Sequence, residues 1–228
     1  MRISEIYLSI QGEGTLTGTE SVFVRASGCN LRCHYCDTPY ASWNPEGDDL
    51  SVEEIMAEVA KLDCRHVVLT GGEPMLFAEL VPLTEQLHAR GIHITIETAG
   101  TLHLPVRCDL MSVSPKLSNS TPSAAKHPRW SVRHEHSRHV PDVIRRLTTE
   151  FAYQLKFVVD TDADLGEIAD YLREFPHVDA AHVLLMPQGV DPDELAKRAA
   201  WLKPYCAAHG YRYCPRQHIE WFGAVRGT

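Results

Sequence analysis

No run of apolar residues in this 228-residue chain approaches the ~20 that a membrane helix needs, so no bilayer-spanning segment is expected. Positive charge is also scarce. Lys and Arg number 22 against 30 Asp and Glu, a net charge of −8. A phosphate-backbone binder usually shows a basic face, so nucleic acid is not an expected partner. The opening, MRISEIYLSIQGEG, lacks a basic stretch followed by an apolar one, and nothing in it looks like a secretion signal. A cytoplasmic location is therefore expected, where disulfides are rare. The seven cysteines then point to metal or reactive sites. What is there suits a single domain spanning 1–228: 44% apolar and 23% charged residues, with enough length for a hydrophobic core.

Short β-rich runs alternate with helical stretches. Val22–Ala26, His66–Thr70, His93–Glu97, Leu110–Ser114, Gln154–Val159 and Val183–Met186 read as strands. Ser51-Val52-Glu53-Glu54 has the form of a capping box, and Val52, Ile55, Met56, Val59 and Leu62 behind it share one helical face. A helix from about Leu80 to Arg90 would end at Gly91, and an amphipathic helix covers Leu165–Phe175. Asp191 can cap a last helix, with Pro192 in its first turn and Gly210 past its end. This alternation predicts an α/β fold with a parallel sheet. Six strands are too few for a closed eight-stranded barrel. The expectation is an open partial (β/α) barrel of about six parallel strands with a short N-terminal extension. One segment, Asn119–Arg146, departs from the pattern. It holds Lys126, Arg129, Arg133, Arg138, Arg145 and Arg146 together with His127, His134, His136 and His139. Its histidine spacing is irregular, which favours a solvated, partly mobile insertion over a metal-binding tract or a basic docking patch.

Cys29, Cys33 and Cys36 form a C-x3-C-x2-C run just after the first core strand. Three thiolates in eight residues can grip three corners of an iron–sulfur cubane, for which thiolate is the required soft ligand. The missing fourth cysteine would leave one iron open. A structural zinc site usually needs four ligands in paired C-x2-C units, and no second pair is present. His34 would complete such a site only in a crowded geometry between Cys33 and Tyr35. Cys64, Cys108, Cys206 and Cys214 are scattered and read as small buried apolar residues.

Polar motifs follow the later strands. Thr70-Gly71-Gly72-Glu73-Pro74 would let backbone groups approach a ligand closely. Glu97 ends the third strand and would accept from ribose hydroxyls. Ser114 and Lys116, flanking Pro115, would suit a carboxylate. Gln188 lies after the sixth. Motifs at one end of successive parallel strands are where such folds build active sites.

The cysteine run, with an aromatic residue before its last member, resembles the radical S-adenosylmethionine superfamily. The order IQGEG, FVRASGCNLRCHYCDT, VVLTGGEP, IETAG, VSPK and CPRQHIEWFG resembles, within it, the 7-carboxy-7-deazaguanine synthases across nearly the whole chain. The resemblance covers Asn119–Arg146 least well. It implies a [4Fe–4S] cluster on Cys29, Cys33 and Cys36 whose open iron chelates S-adenosylmethionine. One electron then releases a 5′-deoxyadenosyl radical. The cofactor would meet Tyr35, Cys36, Asp37, Gly72, Glu97, Ser114, Pro115, Lys116 and Gln188. Mg²⁺ would sit on the Thr38 hydroxyl, the structural alternative being a hydroxyl that closes the turn. The substrate, 6-carboxy-5,6,7,8-tetrahydropterin, would contact Ile10, Gln11, Gly12, Arg25 and Thr70. The radical would take hydrogen from its C6, and ring contraction would give 7-carboxy-7-deazaguanine and ammonia. The tail shows no clear match to the family's substrate contacts, and His218 is the one candidate there. The resemblance further implies a homodimer and an electron donor such as flavodoxin or ferredoxin. The rival expectations are a glycyl-radical-activase-like enzyme acting on a partner protein and a non-enzymatic metal-binding module.

Overall fold

The core strands are apolar almost end to end, as strands covered on both faces must be. A computed structural model describes all 228 residues. In chain order the elements are β1 (Arg2–Ile10), β2 (Glu20–Ala26), α1 (Pro39–Ser42), β3 (Asp48–Asp49), α2 (Val52–Lys61), β4 (His66–Gly71), α3 (Leu80–Ala89), β5 (His93–Thr98) and β6 (Leu110–Val113). There follow α4 (Pro128–Ser137), α5 (Pro141–Glu150), β7 (Tyr153–Val159), α6 (Asp164–Arg173), β8 (Val183–Pro187), α7 (Pro192–His209), β9 (Arg212–Tyr213) and α8 (Gln217–Phe222).

All nine strands form one sheet, ordered β3-β1-β2-β4-β5-β6-β7-β8-β9. Its two ends do not pair with each other, so the barrel is open. Every neighbour from β2 to β9 is parallel. The parallel set therefore has seven strands, one more than the six expected, because the two-residue β9 extends the edge. The N-terminal extension is a nine-residue strand, β1, antiparallel to β2. Its exposure alternates only weakly, so its sequence carries little period-2 signal.

The helix signals hold. Ser51 caps α2 with both halves of the capping box formed. Asp191 accepts from Asp193 N and Glu194 N to start α7, and Gly210, at φ 71°, ends it. The core runs from Met1 to Cys206 around fully buried side chains such as Leu69, Ile96 and Phe157. No helix is long and apolar enough to cross a membrane.

The Asn119–Arg146 segment, largely solvent-facing as expected, is also helical. It carries α4 and the start of α5, with Ser120, His134 and Ile144 buried. The reason is topological. Parallel neighbours β6 and β7 need a crossover, and α5 packs back on the sheet to provide it. Exposed Lys126, Arg129 and Arg133 hide this role in the sequence.

Candidate active site

Parallel pairing lines up the strand ends. Arg25 lies beside Thr70, and Glu97 beside Ser112. Above them opens a cavity of about 740 Å³. Lining it are Ile10, Gln11, Gly12, Arg25, Cys29, Cys33, Tyr35, Cys36, Asp37, Thr38, Thr70, Gly72, Glu97, Ser114, Lys116, Gln188 and His218. Of the cluster, cofactor, magnesium and substrate contacts expected from the sequence, Pro115 alone stays outside this lining. It shapes the backbone between Ser114 and Lys116, which do reach the cavity.

The loop after β2 carries the cysteines. Gly28 N donates to Ala41 O and Trp43 Nε1 to Cys33 O, which ties the loop to α1 and its cap. Asn30 Nδ2 donates to Thr101 Oγ1 across the sheet end. Burial pushes the Cys29 thiol up to about 12 and Cys33 to about 11. A bound metal reverses that preference by favouring the thiolate. No three His, Cys, Asp or Glu groups converge on the position of a single metal ion. The donor set of three soft thiols, with Ser27 Oγ and Asn30 Oδ1 buried and unpartnered in the same loop, thus fits a [4Fe–4S] cluster.

Gly72 cannot carry a side chain. A Cβ there would lie 2.1 Å from Gly28 O and 2.5 Å from Ala41 O. This turn therefore sits directly against the cysteine loop. Glu73 is fully buried and accepts from Met75 N, Thr98 Oγ1 and Ala99 N, so it holds the turn together. Lys116 Nζ donates to Ser114 Oγ at 2.7 Å, so the two form one donor pair. The Thr38 hydroxyl makes no capping bond to α1, and its one side-chain neighbour is Cys36 Sγ at 3.8 Å.

The opposite wall is charged. Glu13 pairs with Lys156 and, at 3.1 Å, with Arg216. Burial would raise the Glu13 carboxyl, but Lys156 and Arg216 outweigh it and hold the group well below the usual carboxylate range. Arg216 also reaches Asp37 at 2.5 Å and Gly189 O at 2.7 Å, joining the tail to the cysteine loop. His218 Nδ1 is 3.8 Å from Glu13, and burial lowers its pKa. Gln217 N donates to Gly12 O, which docks α8 on the IQGEG loop. Arg25 is held by Glu5 at 2.6 Å and Tyr7 at 2.7 Å. Glu97 accepts from Thr70 Oγ1 at 2.8 Å and Gln11 Nε2 at 3.3 Å. Sequence reasoning missed Tyr7, Lys156 and Arg216 as site residues. Lys156 sits inside a strand, where it looks like an ordinary sheet residue. Arg216 was visible only as part of the CPRQH string.

Comparison with known proteins decides the family. Residues 23–115 match the radical SAM superfamily. The 7-carboxy-7-deazaguanine synthase of Rhodopirellula baltica is 50% identical over 99% of this chain and 88% of its own length. That of Halobacterium salinarum is 44% identical over 95% and 88%. The chain belongs to the 7-carboxy-7-deazaguanine synthase family. The crystal structure of QueE from Escherichia coli agrees, with 25% identity, a TM-score of 0.71 and coverage of 95% of this chain and 94% of that one. Synthases of this family are radical enzymes that use a [4Fe–4S] cluster and S-adenosylmethionine. Family membership removes the activase-like and non-enzymatic alternatives.

Proposed function

We propose that the chain converts 6-carboxy-5,6,7,8-tetrahydropterin to 7-carboxy-7-deazaguanine and ammonia, a ring contraction that feeds queuosine or 7-deazapurine synthesis. The observation that carries the reading is one cavity with a thiol wall beside the Gly72 turn and a charged wall facing both. When bound, the cluster and S-adenosylmethionine would supply a 5′-deoxyadenosyl radical that abstracts hydrogen from the pterin. The chain's own residues position and enclose the reactants.

In this reading Cys29, Cys33 and Cys36 hold the cluster. Tyr35, Cys36, Asp37, Gly72 and Gln188 surround S-adenosylmethionine. Pro115 sets the backbone so that Ser114 and Lys116 both donate to its carboxylate. Arg25 takes the pterin carboxylate, because its planar fork matches two oxygens and Glu5 with Tyr7 already fixes its direction. Ile10, Gln11, Gly12 and Thr70 complete the pterin site. The Glu97 carboxylate is bonded to Gln11 and Thr70, so it faces the pterin rather than the ribose, and the pterin ring N–H groups are natural donors to it. His218 closes the site from the tail. Thr38 offers Mg²⁺ a hydroxyl that makes no capping bond, with the remaining oxygens from substrate and water. An electron donor of the flavodoxin or ferredoxin class and a homodimer belong to the same reading.

The test is direct. Anaerobically reconstituted protein, given the carboxypterin, S-adenosylmethionine and reductant, should form the deazaguanine and ammonia. Cluster-loaded protein that cleaves S-adenosylmethionine but yields no deazaguanine would refute the reading. Thr38→Ala should blunt the response to magnesium while leaving cluster iron unchanged, and an unaltered magnesium response would count against the ion's place.

A further inference from the structure

The loop that carries the cysteines is not self-supporting. Each backbone N–H beside Cys33 is bonded by a residue from the basic, histidine-rich segment. Arg32 N donates to His134 Nδ1 at 3.2 Å. His34 N donates to Ser120 O at 2.9 Å. The two acceptors are themselves joined, with His134 Nε2 2.8 Å from Ser120 Oγ. Ser120 Oγ donates to Leu117 O at 2.6 Å, so it must accept from Nε2–H. That fixes the ring tautomer and leaves Nδ1 as the acceptor that Arg32 N needs. His134 and Ser120 are both fully buried. Burial pushes His134 down to about 4, which keeps the ring neutral and its Nδ1 lone pair available near pH 7. The Arg32 guanidinium lies 4.2 Å above Trp130, one helical turn before His134, and clamps the same loop from outside.

We propose that His134, through Ser120, is a positioning residue for the iron–sulfur cluster, setting both the seat of Cys33 and the electronic surroundings of its sulfur. This rests on the cluster assignment made above. Two consequences follow from the bonding. The backbone on either side of Cys33 is held before any metal arrives. The Arg32 and His34 amides are also already engaged. Hydrogen bonds to cluster sulfurs raise the reduction potential, so engaged amides help keep the potential low, as a one-electron reductant requires.

The test compares reconstituted wild type with His134→Phe, which keeps ring volume but offers no bond, and His134→Asn, whose amide oxygen falls where Nδ1 was. Iron release to a chelator and the cluster midpoint potential are the readouts. His134→Phe should release iron roughly 10- to 100-fold faster and shift the potential positive, while His134→Asn moves both back toward wild type. Equal release and equal potential in the Phe variant would overturn the proposal. If the Phe variant does not fold, His134→Gln replaces it, since its longer amide reaches the Nε2 position and frees the Arg32 amide. Matching potentials in the Asn and Gln variants would then overturn it. Wild type that takes up no iron and sulfide would instead overturn the cluster assignment itself.

Discussion

One wall of the cavity comes from a single loop, Cys29–Thr38, and carries thiols and small polar groups. The other joins Glu13 to Arg216, 203 positions apart, and adds Lys156 and His218. The thiol wall is held mainly by hydrogen bonds, from backbone and from Trp43, Asn30 and His134, so its conformation is set before a ligand enters. The charged wall is held by ion pairs, which cost desolvation and are stable only as a complete set. A soft metal cluster needs the first kind of surface. A substrate rich in carboxylate and ring N–H groups needs the second.

Substitutions in the two walls should fail differently. The largest effect is expected at Cys33→Ala, which removes a ligand with nothing nearby to replace it. Bound iron and sulfide after anaerobic reconstitution should fall to background while the fold persists. Retention of a full cluster would break the distinction between the walls.

Glu13→Gln comes next. It leaves Lys156 and Arg216 without their shared anion, at a cost of about 3 kcal/mol in chemical denaturation. The pH dependence follows from the lowered Glu13 pKa. A depressed carboxyl contributes stability above its ordinary value of 4.5, and that contribution is lost as pH falls below it. Wild type should therefore lose stability on acidification below about pH 4.5 more steeply than Glu13→Gln, with the curves converging in acid. Parallel curves would show that the ion pairs are not coupled to folding.

Gly72→Ala tests where the walls meet. Its Cβ would press on Gly28 O and Ala41 O. The KM for S-adenosylmethionine should rise by about tenfold, from displacement of the turn, with the KM for pterin less affected. The smallest effect is expected far from both walls. Ser51→Ala removes the α2 capping box and should cost about 1 kcal/mol of stability, with kcat unchanged.

The same contrast explains what was legible in the sequence. The cysteine wall is a local spacing, readable because its three ligands fall within eight residues. The core strands and the capped helices α2 and α7 were readable for the same reason, since each signal lies within one turn or one strand. The charged wall was not readable as a unit. Lys156 points into the site from the middle of an apolar strand, and Arg216 gains its meaning only when the tail docks on Gly12. The Asn119–Arg146 segment misled in the other direction. Its exposed cations masked a buried histidine and a crossover helix that the parallel topology demands.

The division between the walls is tested most directly by Arg25→Gln, with steady-state KM measured for each reactant on cluster-loaded enzyme. The reading of Arg25 as the pterin-carboxylate contact, separate from the thiol wall, predicts that the KM for the carboxypterin rises at least about tenfold while the KM for S-adenosylmethionine and the iron content stay at wild-type values. A variant whose KM rises for S-adenosylmethionine, with pterin binding unchanged, would contradict it.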